Sequence, residues 1–99
     1  MKVLFTDEAE KDLEAIGDWI ASDNPTRAIS FVGELRGKCE NLNELPRAFP
    51  VVARYGSLEI RRRAWRDYLI LYQIRSQDIL VLHVIHGAQD YDILLPPVS

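Results

Sequence analysis

Most of the side chains that could move a proton or hold a phosphate lie in the second half of this 99-residue sequence. Six arginines, Arg54, Arg61, Arg62, Arg63, Arg66 and Arg75, precede or flank His83, His86 and Tyr91. Cleavage of RNA through its 2′-hydroxyl needs a general base, a general acid and positive charge on the phosphorane. Arginine supplies the charge but no base, because its pKa stays above about 12. A histidine titrating near neutrality can carry the protons. A tuned lysine could do the same, yet none follows Lys38. Arg61, Arg63, His86 and Tyr91 are therefore the candidate set for such chemistry, and the set is incomplete.

Other chemistries find no footing. There is no Gly-rich phosphate loop, no cysteine pair at zinc spacing, no His-x-x-x-His and no nucleophile elbow, so neither a metal nor a cofactor is expected. Cys39 stands between Leu35 and Leu42 in an apolar stripe and reads as a small buried hydrophobe. His83, inside LVLHVI, reads as a core histidine with one nitrogen satisfied, whereas His86 ends its strand beside Gly87 and should be exposed. Their spacing of three puts them on opposite faces of a regular strand, which argues against a shared metal.

Charge narrows the partners. The net charge is −3, whereas a protein held by phosphates is ordinarily basic; direct sequence-specific nucleic-acid binding is not expected. Residues 1–50 carry ten acidic and six basic side chains, residues 51–99 five and six, and all six of the latter are arginine. Such a cluster can form a local patch for carboxylate or phosphate, or simply pair with Glu59 and Asp67 on its own surface. No apolar run approaches the roughly 20 residues that span a bilayer, and MKVLFTDEAEKDL turns acidic too early for a signal peptide. One cysteine excludes an internal disulfide and fits a reducing compartment. A cytoplasmic protein without membrane contact is expected.

The elements that would position these residues follow from periodicity. KVLF at 2–5 is compatible with a strand. Thr6 or Asp7 can cap a helix over 7–22, whose apolar face is Ala9, Leu13, Ile16 and Ile20, with Asp12, Glu14 and Asp18 mostly opposite. Asn24-Pro25 starts a second helix, its stripe running from Ala28 through Leu35 and Cys39 to Leu42. The short break makes the two an antiparallel αα-hairpin. Residues 46–57 read as a loop. Leu58–Trp65 alternates with one heavily charged face, Arg66-Asp67 turns, and YLILYQIR and ILVLHVIH are strands covered on both faces or central in a sheet. With 47% hydrophobic and 27% charged residues the composition is that of a globular domain. The fold class is α+β, a single domain over 1–99 in the order β-α-α-β-β-β, its helical hairpin on one face of a mostly antiparallel sheet.

That order, with LEIRRRAW, YLILYQI and above all VIHGAQDY at 84–91, resembles the RelE/ParE superfamily of bacterial toxins and is most similar to its ParE branch, the plasmid stabilisation proteins. The resemblance implies a RelE-like fold and a toxin of a type II toxin–antitoxin system that binds and inhibits DNA gyrase and is neutralised by a cognate antitoxin. A binding inhibitor rather than a catalyst is expected. The alternatives it leaves are a ribosome-dependent messenger RNA endonuclease and a non-toxic relative that only binds an antitoxin. Two departures count against the nuclease: the central lysines are missing, and Gln89 stands where many relatives carry arginine. Arg61, Arg63, Arg66, His86, Gln89 and Tyr91 are the candidate partner-binding residues. Acidic antitoxin side chains should meet Arg61, Arg63 and Arg66, with apolar anchors beside the helices. The oligomeric state stays open between a homodimer through the αα-hairpin and a toxin–antitoxin hetero-oligomer.

Overall fold

The computed structural model describes residues 1–87 and 91–95. Strand β1 (Lys2–Phe5) leads into helices α1 (Asp7–Ala21) and α2 (Pro25–Glu40), followed by β2 (Ile60–Trp65), β3 (Tyr68–Ile74) and β4 (Asp78–His86). Both helices start at the expected caps. The Thr6 hydroxyl accepts from the Ala9 amide and the Asn24 side chain from that of Arg27, so each satisfies an N–H that the first turn leaves unpaired. The second helix tightens into a 3-10 turn over Asn41–Asn43. Gly17 lets the helices close up: a Cβ there would stand 3.3 Å from Val32 Cγ2.

The four strands form one sheet in the order β1-β4-β3-β2. β2, β3 and β4 are mutually antiparallel neighbours, while β1 lies parallel to β4 with Lys2 opposite Asp78 and Phe5 opposite Val81. The sheet is thus mixed. The hairpin turn between β2 and β3 places Arg66 at φ 52°, and the Gly87 amide donates to Asp67 carbonyl at 2.7 Å. A Cβ on Gly87 would press to 3.3 Å from that same oxygen.

Each face of the sheet has its own core. The helices bury Ala9, Leu13, Ile16, Leu35, Cys39 and Leu42 against Ile70, Tyr72, Ile74, Ile79, Val81 and Val84. The other face packs Ile60, Leu69, Leu71 and Ile85 under Val52, Tyr55 and Leu95. That second cover corrects the reading of 46–57 as plain loop: Ala53–Leu58 folds as short 3-10 turns whose Tyr55 is buried. It also shortens the first long strand, since Glu59 sits at φ 52° and the ladder begins only at Ile60.

Candidate functional site

β2 carries the arginine run on the outer strand of the sheet, and alternation divides it. Arg62 is exposed, on the same side as Ile60. Arg61, Arg63 and Trp65 turn toward the helices. Arg63 donates to the Lys38 carbonyl at 2.9 Å and to the Asn41 side chain, with its guanidinium 4.6 Å from the Phe49 ring centre. It therefore satisfies a carbonyl that the end of α2 leaves without an intrahelical partner, and places positive charge at the negative end of that helix.

Arg61 donates to the carbonyls of Phe49 at 2.7 Å and Arg47 at 3.2 Å, and reaches the Glu59 carboxylate at 3.4 Å; its side chain is only 15% exposed. Glu59 in turn accepts from Arg47 at 2.9 Å, and chiefly that hydrogen bond holds its carboxyl below the usual range. Arg63 spends its donors on the last turn of α2 and Asn41, and Arg61 on the segment that follows. Arg66 differs. It stands over the Trp65 ring at 5.0 Å, 3.7 Å from Glu34, with 56% of its side chain in solvent.

Beyond Trp65 an aromatic row crosses the end of the sheet. Phe31 lies 5.3 Å from Trp65 and 5.6 Å from Tyr68, and Tyr68 meets the His86 ring edge-on at 5.7 Å. Burial, with Asp67 nearby, pushes the Tyr68 hydroxyl up from its ordinary pKa. Tyr91 packs with the opposite core, beside Leu82 and Leu94. The set Arg61, Arg63, His86 and Tyr91 is therefore dispersed. Arg63 and His86 stand two strands apart, roughly 10 Å across the sheet, and Tyr91 is on the other face. Gln89 lies outside the described residues.

His83 has its expected partner, and the partner is one that periodicity hid. Asp12, on the nominally solvent side of α1, accepts from His83 Nδ1 at 3.0 Å and from the Val84 amide at 2.9 Å. β1 ends opposite Val81, so β4 runs on without a neighbouring strand along that edge; Thr6 and Asp12 take up its Leu82 carbonyl and Val84 amide. The ladder also slips here: Leu71 pairs with His83 but Tyr72 with Val81, leaving Leu82 as an extra residue. Such a bulge re-aims the side chains beside it. His83 and His86 keep the alternation expected of them, pairing in an unbroken ladder with Leu71 and Tyr68, yet at this open edge both border one hollow of about 380 Å3 together with Ile16, Trp19 and Tyr68. Trp19 is 77% exposed, the one exposed aromatic among the described residues. Its only signal in the sequence is a large aromatic off the apolar stripe, three residues after Ile16.

Cys39 is fully buried, and burial pushes its thiol up to about 12, so it is no nucleophile near neutral pH. Among the described residues no three of His, Cys, Asp and Glu converge as a metal site requires, and no helix is long and apolar enough to cross a membrane.

Residues 3–91 match the family described as ParE toxin of type II toxin-antitoxin system, parDE. The chain belongs to the ParE toxin family. Its fold is shared with a solved structure described as "Chromosomal ParDE TA system from P. aeruginosa", at a TM-score of 0.69 and 19% identity over 87% of this chain and 95% of that one. No curated protein matches the sequence. Within the ParE fold, then, Arg63 of β2 fastens the end of α2, Arg61 fastens the segment after it, and Arg66, in the turn beyond β2, reaches solvent beside aromatic rings.

Proposed function

We propose that this ParE-family chain acts in the cytoplasm by binding DNA gyrase and blocking its activity, and that a cognate antitoxin neutralises it. The observation that supports a binding rather than a cutting mode is the dispersal of the four candidate groups. Proton transfer requires acid and base within hydrogen-bond reach of one phosphate, whereas here Arg61 and Arg63 are engaged with backbone carbonyls and Tyr91 belongs to the opposite core.

The antitoxin is the partner for the arginine side. Arg66 has the solvent exposure to meet an acidic side chain, and Arg61 and Arg63 hold the surface around it in place. Apolar anchors of the antitoxin enter beside the helices, where Ile29 is exposed at the edge of a hollow lined by Gly17, Ala28 and Val32. Partners that order as they bind need such extended contacts.

The test runs purified protein in a gyrase supercoiling assay beside a translation assay. Loss of supercoiling with intact messenger RNA, reversed by the antitoxin, is expected. Cleaved messenger RNA with unimpaired supercoiling would overturn the proposal.

A further inference from the structure

The hollow beside α1 is separate from the arginine side, and its chemistry is of the opposite sign. We propose that it is a docking site for a basic protein segment that inserts one aromatic side chain bearing a hydrogen-bond donor, a tyrosine or tryptophan flanked by lysine or arginine.

Three observations support this. The first is shape and lining: a cavity of about 380 Å3 has an apolar floor of Ile16 and Val84 between the exposed indole of Trp19 and the Tyr68–His86 pair. Aromatic rings pack well against such walls, and aromatic anchors carry much of the energy of protein contacts. The second is a directed polar group. The Asp12 carboxylate accepts the Val84 amide and lies 3.0 Å from His83 Nδ1, so in the neutral imidazole that donates to it from Nδ1 the other nitrogen, Nε2, is an acceptor. The His83 ring borders this hollow and the neighbouring one, and Nε2 is its nitrogen not taken up by Asp12. It suits an incoming O–H or N–H.

The third is charge. Among the described residues, those bordering the two adjoining hollows include the carboxylates of Asp12 and Glu8 and no lysine or arginine. α1 itself carries six acidic residues against Lys11 and has no basic residue in its last turn, where the helix dipole is already negative. A single nucleic-acid strand would be repelled by this rim, while a basic peptide is drawn to it.

The test is an NMR titration of the full-length chain with acetyl-Arg-Tyr-Arg-amide, acetyl-Arg-Phe-Arg-amide, acetyl-Glu-Tyr-Glu-amide and a ten-residue thymidine strand. The first peptide should saturate shifts at Trp19, Ile16 and Val84, with affinity on the order of millimolar for so small a ligand. Loss of the phenol should weaken it about fivefold, the value of one modest hydrogen bond. Charge reversal, or Trp19→Ala, should weaken it roughly tenfold or more; the exposure of Trp19 makes that variant safe for folding. Absence of saturable shifts at the hollow, equal binding of the acidic peptide, or tighter binding there of the thymidine strand would each overturn the proposal.

Discussion

Replacing Asp12 with alanine isolates the device that finishes the edge of the sheet. The carboxylate makes two charge-assisted bonds, to the Val84 amide and to His83 Nδ1, and 26% of its side chain is exposed. Hydrogen bonds to charged groups are worth about 1.5–3 kcal/mol each. Partial exposure favours the lower end, and alanine returns a few tenths through its better helix propensity. A net cost of about 2–3 kcal/mol is expected, a large part of a typical stability of roughly 5–15 kcal/mol. With a urea m value of about 1.5 kcal/mol/M, the unfolding midpoint should drop by roughly 1.3–2 M. Asp12→Asn keeps an acceptor for the amide and should lose about half as much. Glu14→Ala on the same helix serves as control and should stay within about 0.5 kcal/mol. Urea unfolding followed by circular dichroism reads all three. A shift below about 0.3 M for Asp12→Ala, or an asparagine variant as damaged as the alanine one, would refute the account of Asp12 as the cap of an unpaired strand edge.

Other expectations rest on different contacts. Arg63→Ala removes the side chain that closes the end of α2 and should cost about 2 kcal/mol, a fall of about 8–16 °C in a thermal melt; Arg63→Lys should recover little, lacking the planar fork. Thr6→Ala loses both the helix cap and the bond to the Leu82 carbonyl, for about 1–2 kcal/mol in urea unfolding, while Thr6→Ser should be near neutral. Cys39 should resist a disulfide reagent at pH 8 until urea is added. Because burial raises its thiol pKa to about 12, the unfolded chain ionises first. Its effect on stability should be absent below about pH 8 and grow unfavourable as pH rises from about 9 towards 12.

Local chemistry made the helices legible. Thr6, Asn24-Pro25 and the stripes through Leu13 and Leu35 specify their own starts and buried faces, and Tyr68–Ile74 and Ile79–His86 were visible as doubly covered strands because few other elements are so continuously apolar. What stayed hidden is nonlocal. The parallel pairing of β1 with β4 joins residues at opposite ends of the described chain. The burial of Tyr55 depends on a sheet face formed by distant strands. Asp12 looked like any acid on a solvated helix face, since periodicity registers only apolar contacts with the sheet. The bulge at Leu82 is a mismatch between two strands, which the period-2 pattern of either one does not show. Charge counting saw Arg61 and Arg63 as surface cations, whereas alternation on an edge strand beside a helix end turned them inward to carbonyl oxygens.

The placement of β4 between β1 and β3 has a consequence for synthesis. The strand made last among the four is central, and Lys2 must wait for Asp78 before it finds its neighbour. A chain still emerging from the ribosome, at roughly 5–20 residues per second, holds its helical hairpin ready for seconds with no completed sheet to pack on. A chain that stops before β4 therefore lacks the strand that joins β1 to β3, and the four-stranded sheet forms only once residue 86 has been made.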